Sequence, residues 1–130
     1  MASELRVNTL KDASGNNSIA TSFVAGGSAK AWVTFDGTGT PAARDSLNAS
    51  SITDLSTGAY THNWSNAFSS SSNVSAVGGG GQFSGAVANN VYVFYKNVLA
   101  GSITSQLQQV SSDNNVDQTF VNTLHHGDLA

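Results

Sequence analysis

The chain has 130 residues and a mass of 13.3 kDa, enough for one modest hydrophobic core and too little for two. Its formal charge of −3 and pI near 5.3 exclude the basic footprint that grips a phosphate backbone, so nucleic acid is not an expected partner. It has no cysteine, which excludes a disulfide framework and a cysteine zinc site, and nowhere does an apolar run approach the length that crosses a membrane.

Charged residues make up only 10% of the chain, against about 25% in an average soluble domain, and Ser, Thr, Asn and Gly replace them. The first ten residues carry Glu4 and Arg6 and no apolar run, so no secretory leader is expected and a soluble product made in the cytoplasm is the expectation. Residues 1–28 read as a unit of their own. Leu5, Val7 and Leu10 give a short apolar pattern, but Gly15-Asn16-Asn17 and Gly26-Gly27-Ser28 interrupt it before a long element can form. The expectation is an extended N-terminal arm that needs another surface to bury these side chains, followed by a body over residues 29–130.

From Ala29 the period is two. Ala29, Ala31, Val33 and Phe35 alternate with Lys30, Trp32 and Thr34 before a Gly37–Pro41 break, which predicts a strand and a turn. Leu47, Ala49 and Ser51 predict a weaker strand ending near Asp54 or the Ser56-Thr57-Gly58 turn. Tyr60, His62 and Trp64 line one face of a third. Val74 to Val77 predicts a short fourth, ended by Gly78 to Gly81, which read as a flexible hairpin or loop tip. Val91 to Tyr95 is apolar on both faces, the pattern of a strand covered on both sides. Burial between subunits would satisfy it more easily than one short sandwich, so Val91, Val93 and Tyr95 are the candidate oligomer interface. Ile103 to Leu107 and Phe120 to Leu124 complete the set. Seven or eight short strands, with no convincing helix, predict an all-β fold: an antiparallel β-sandwich or small jelly roll.

The chemistry searched for is mostly missing. Gly78-Gly79-Gly80-Gly81 lacks both the dinucleotide spacing and the Gly-Lys-Ser/Thr of a phosphate loop, and Gly81-Gln82-Phe83-Ser84-Gly85 misses the nucleophile-elbow spacing by one. Nothing places any two of Asp45, Asp54, Asp113 and Asp117 across one bond, so no catalytic residue is assigned and no enzyme activity is expected. Asp113-Asn114-Asn115-Val116-Asp117 lacks the glycine and glutamate of a calcium loop and reads as turn chemistry. His125 and His126 are adjacent, so on a strand they point to opposite faces and do not share an ion within one chain. No metal and no cofactor is expected, although a threefold axis could gather three copies of one histidine. His62, between Tyr60 and Trp64, reads as a core or interface histidine. Trp32, Trp64, Tyr60, Tyr92 and Tyr95 could stack on sugar rings, but their place within strands assigns most of them to core or interface.

Several stretches resemble a known family. Ser3-Glu4-Leu5-Arg6-Val7-Asn8-Thr9-Leu10-Lys11-Asp12-Ala13-Ser14-Gly15-Asn16-Asn17, then Lys30-Ala31-Trp32-Val33-Thr34-Phe35-Asp36-Gly37-Thr38-Gly39-Thr40, Arg44-Asp45-Ser46, Ser51-Ile52-Thr53-Asp54 and Gly127-Asp128-Leu129-Ala130 resemble recurring segments of marine bacteriophage fibre proteins. Residues 78–118 lie outside the resemblance. It implies a virion protein of the short tail-fibre or appendage type, commonly trimeric, docked through its N-terminal arm onto tail, portal or capsid. Leu5, Val7 and Leu10 would make that contact, and the body would reach host surface polysaccharide. Such modules also recur on phage heads, which leaves a capsid decoration or head-fibre protein as the alternative, and a non-viral carbohydrate-binding module as a third.

Overall fold

The computed structural model describes residue 3, residues 5–81 and residues 91–130. The N-terminal segment is a small hairpin, β1 (Thr9–Lys11) with β2 (Ser18–Ala20), followed by a helix, α1 (Thr21–Gly27). Asp12 closes the hairpin turn by accepting from the Asn16 N–H at 3.0 Å and from Asn17 Nδ2 at 2.7 Å. The helix corrects the expectation of no helix in the chain. It spans less than two turns and buries no residue, so it leaves no apolar period in the sequence. Tertiary hydrogen bonds supply what propensity does not: the Thr21 N–H donates to Asn8 O at 3.0 Å and its hydroxyl to Val7 O at 3.0 Å.

The rest is a sandwich of two four-stranded antiparallel sheets. Its strands are β3 (Ala31–Asp36), β4 (Ala42–Leu47), β5 (Ala49–Ser56), β6 (Ala59–Trp64), β7 (Ser75–Gly81), β8 (Val91–Lys96), β9 (Ser102–Gln109) and β10 (Phe120–His126). The first sheet has the order β4-β3-β10-β7 and the second β5-β6-β9-β8. The pairs β3/β4, β5/β6 and β8/β9 are consecutive neighbours within a sheet, which makes this the sandwich rather than the jelly roll of the two architectures expected.

Alternation set by the sequence builds the core. Ala31, Val33 and Phe35 point inward from β3 and are fully buried, as are Val121 and His125 from β10, facing Tyr60, His62, Ile103 and Leu107 of the second sheet. Two apolar clusters result, one around Val33, Phe35, Tyr60, Leu107 and Val121, the other around Ala31, Trp64, Phe68 and Ile103. Phe35 meets the Tyr60 ring edge-on at 5.0 Å. On the outer side of β9, Thr104 and Gln106 are also buried, with partners on the flanking strands: Thr61 Oγ1 lies 2.9 Å from Thr104 Oγ1, and Lys96 Nζ donates to Gln106 Oε1 at 2.8 Å.

Three elements depart from the sequence reading. The weak strand expected from Leu47 is two strands in different sheets, separated at Asn48, whose φ of 59° lies in the left-handed region that asparagine tolerates. Asn48 fixes this corner by donating Nδ2 to Asn66 O at 3.0 Å and accepting from the Asn66 N–H at 2.7 Å. The β4 half was missed because Ala42-Ala43-Arg44-Asp45 is exposed and carries no apolar alternation.

The glycine run is not a loop tip. Gly78 to Gly81 continue β7 and pair in register with Thr123, Asn122, Val121 and Phe120 of β10. A Cβ on Gly78 would lie 2.6 Å from Asn122 O and would collide with the Tyr95 hydroxyl, and one on Gly80 would lie 2.6 Å from a Leu107 methyl. The inward glycines let β7 settle onto β8, β9 and β10.

Strand β8 is covered on one side only. Val91, Val93 and Tyr95 turn inward and are half-buried, with Val93 and Tyr95 packed on the two clusters, while Tyr92 and Phe94 face outward. Sequence alone cannot distinguish an edge strand with aromatics on its outer face from a strand buried on both.

Candidate functional site

Three features are candidates, and they lie in different layers of the molecule. The first is the arm. No described side chain between residues 3 and 28 is buried. Leu5 is 82% exposed, and Val7 and Leu10 are exposed beside it. The structure adds Ile19, Phe23 and Val24, also exposed, with Phe23 at 73%. The helix brings Phe23 and Val24 into this set, and a helix without an apolar period gave no signal for them. Six large apolar side chains on one short segment stay exposed, unburied by the segment itself.

The second feature is a groove of about 480 Å³ on the outer face of the first sheet. Register places the outward residues of its lining on β7, β10 and β3 in two rows, each continued beyond the groove onto β4. Val77, Leu124, Trp32 and Leu47 are successive neighbours across β7, β10, β3 and β4, and Gly79, Asn122, Thr34 and Asp45 are the next row along. Because the outward positions of β3 are Trp32 and Thr34, the indole lies outside the core, which corrects the core half of the core or interface place expected of it. Asn122 Oδ1 accepts from the Gly79 N–H at 2.8 Å, which fixes the amide and leaves its Nδ2 protons for another partner.

The third feature is a polar cluster inside the sandwich. His62 and His125 are fully buried with ring centroids 6.3 Å apart, and the His125 ring lies 4.7 Å from Trp64 and 5.7 Å from Tyr95. His62 Nε2 is 2.8 Å from Ser105 Oγ, whereas His62 Nδ1, both His125 nitrogens and the Tyr95 hydroxyl have no hydrogen-bond partner among the described residues. Burial first, then the neighbouring imidazole, lowers the His62 pKa to about 3; burial first, then His126, lowers that of His125 to about 4. Both rings are therefore neutral at pH 7. His126 takes the opposite face from His125, as the strand alternation required. Among the described residues no group of three or more His, Cys, Asp or Glu is placed to hold a metal ion.

The acidic residues take structural places. Asp117 Oδ1 accepts from the Gly58 N–H at 2.6 Å and sits 2.6 Å from the Tyr60 hydroxyl, which itself lies 2.7 Å from Gly37 O. Burial and the Asp117 carboxylate push the Tyr60 phenol far above its ordinary range. Asp113 has a φ of 55° and its N–H donates to Gln109 O, the turn role expected of it. Hydrogen bonds from the Thr38 hydroxyl and N–H, with Arg44 at 2.8 Å, hold the Asp36 carboxyl below the usual carboxylate range. Asp45 lies on the outer face of β4 and Asp54 on the edge strand β5. Ser84 of the near-miss nucleophile motif lies outside the described residues.

No helix among the described residues is long and apolar enough to cross a membrane. No protein-family model, curated protein or solved structure matches the chain.

Proposed function

We propose that this chain is a structural bacteriophage virion protein, a short fibre or appendage subunit that docks on the particle by its N-terminal segment and presents its sandwich to the host surface. The observation that carries the reading is the division of apolar side chains. The sandwich encloses two cores of its own, whereas the arm leaves Leu5, Val7, Leu10, Ile19, Phe23 and Val24 in water. A segment built this way gains most by laying its apolar residues on a tail, portal or capsid surface. Its internal hydrogen bonds, from Asn17 to Asp12 and from Thr21 to Asn8, shape it without burying it. The resemblance to marine phage fibre proteins over residues 3–17 supports the same assignment. The low charge of the body suits a particle component that meets neutral surfaces.

The test compares full-length protein with residues 29–130 in two assays. Circular dichroism and melting should show the truncated body folded as a β protein with nearly the full melting temperature, since none of the described residues removed is buried. Incorporation into particles lacking the native product should then fail for the truncated form and succeed for the full chain. Normal incorporation of the truncated body would assign docking to the sandwich and sink the arm as the docking element.

A further inference from the structure

We infer that the groove on the outer face of the β4-β3-β10-β7 sheet is a binding site for an uncharged oligosaccharide, with Trp32 as the stacking platform and Asn122 as the orienting hydrogen-bond donor. The inference rests on the host-contact half of the function proposed above and names its site.

Two observations select this ligand chemistry. The first is the pairing of an apolar row with a polar row on one rigid surface. A pyranose ring presents C–H groups on its faces and hydroxyls around its edge, so it needs an apolar platform with hydrogen-bonding groups beside it. Val77, Leu124 and Trp32 supply the first, and Asn122 and Thr34, one row along, supply the second. Neighbouring strands lie about 4.8 Å apart, so the three strands give about 10 Å of platform, the length of a disaccharide unit. At Gly79 the polar row has no side chain, which opens the depression beside Asn122. The Gly79 N–H holds Asn122 Oδ1, so the amide is oriented before any ligand arrives and keeps Nδ2 to donate to a sugar hydroxyl.

The second observation is charge. Trp32, Thr34, Val77, Gly78, Gly79, Asn122, Thr123 and Leu124 line the groove without a single ionisable group; Asp45 lies beyond it on one side, and Lys30 and His126 on the other. An anionic polymer finds no cation among the lining residues. A neutral glycan loses nothing. The shallow site predicts weak binding per copy, with useful strength coming from several copies on one particle.

The experiment uses full-length, isotope-labelled protein titrated with maltohexaose, cellohexaose, mannohexaose and chitohexaose at millimolar concentration, read by NMR. The chain has two tryptophans, Trp32 in the groove and Trp64 in the core, so their indole N–H signals separate the site from the interior. At least one sugar should shift the Trp32 indole and the Asn122 side-chain amide and leave Trp64 unmoved. Trp32→Ala should weaken that binding about tenfold or more, and Trp32→Phe less, at unchanged melting temperature. If Trp32→Ala disturbs folding, Gly79→Val, which fills the depression from an outward position, should abolish the same shifts. The inference is overturned if no sugar in the panel moves Trp32, if the variants bind as the parent does, or if Trp32 shifts with protein concentration alone, which would make a second copy of the chain the occupant. None of these outcomes touches the particle-incorporation result, so docking by the arm and sugar binding by the body stand or fall separately.

Discussion

The buried pair His62 and His125 has the sharpest consequence at the scale of single residues. Both imidazoles face apolar or aromatic neighbours: Phe35, Trp64 and Tyr95, together with Ser105. Among the described residues no carboxylate hydrogen-bonds either ring; the titratable groups beside them are one another and the Tyr95 phenol, with His126 acting on His125 from the opposite face of β10. In the unfolded chain each histidine takes up a proton near pH 6.5, whereas in the folded protein uptake waits until about pH 4 for His125 and about pH 3 for His62. Between these values the unfolded state binds more protons, so stability falls as pH falls. The contribution is complete above pH 6.5 and is lost at up to about 1.4 kcal/mol per pH unit for each ring down to its folded pKa. Denaturant midpoints measured from pH 7.5 to 4 should drop over this window, above the range where Asp36 titrates. His125→Phe, which keeps an aromatic ring beside Trp64 and removes two unpartnered nitrogens, should match or exceed the parent at pH 7 and flatten the profile. An unchanged slope in that variant would place the acid sensitivity elsewhere.

At the scale of elements, period two made β3, β6 and β9 legible, because each has a largely apolar or aromatic inward row, and alternation marked β10 as a strand although Phe120 and Leu124 lie in its outward row. The failures have physical causes. Strand β4 lies at a sheet edge with little burial, so no pattern marks it, and β7 is held by backbone pairing to β10 with glycines where side chains would normally signal a strand. Glycine reads as a breaker from sequence and is here a packing device. Gly78→Ala should therefore cost at least about 2 kcal/mol, because the new methyl meets the Asn122 carbonyl as well as the Tyr95 hydroxyl. Gly81→Ala, with nothing within 4 Å of the new atom, should be close to neutral in the same chemical denaturation series. Equal costs would mean that β7 does not pack as described. Of the candidate sites, the apolar positions Leu5, Val7 and Leu10, which the structure leaves exposed, were visible in the sequence, their docking role being the proposal above. The groove was not, since it joins residues from β3, β7 and β10, and only the register between strands distant in sequence brings them into rows.

At the scale of the whole molecule, the sandwich closes its own cores, which changes the surface on which self-association would rest. Val91, Val93 and Tyr95 are turned toward the interior, so an interface on β8 would use Tyr92 and Phe94, whose rings lie 5.9 Å apart on the outer face. We expect light scattering at micromolar concentration to report about three chain masses, and Phe94→Asp to return the protein to the monomer with its melting behaviour retained. A parent that is monomeric at every concentration would confine association to the particle.

The central claim, that the arm docks and the sandwich projects, is tested most directly by a cryo-EM map of the intact particle. The account predicts residues 5–24 ordered against a portal, tail or capsid protein, with Leu5, Phe23 and Val24 at the contact and the Trp32 face of the sandwich turned to solvent. A map with the sandwich seated flat on the particle by that face, and the arm without an ordered contact, would contradict it.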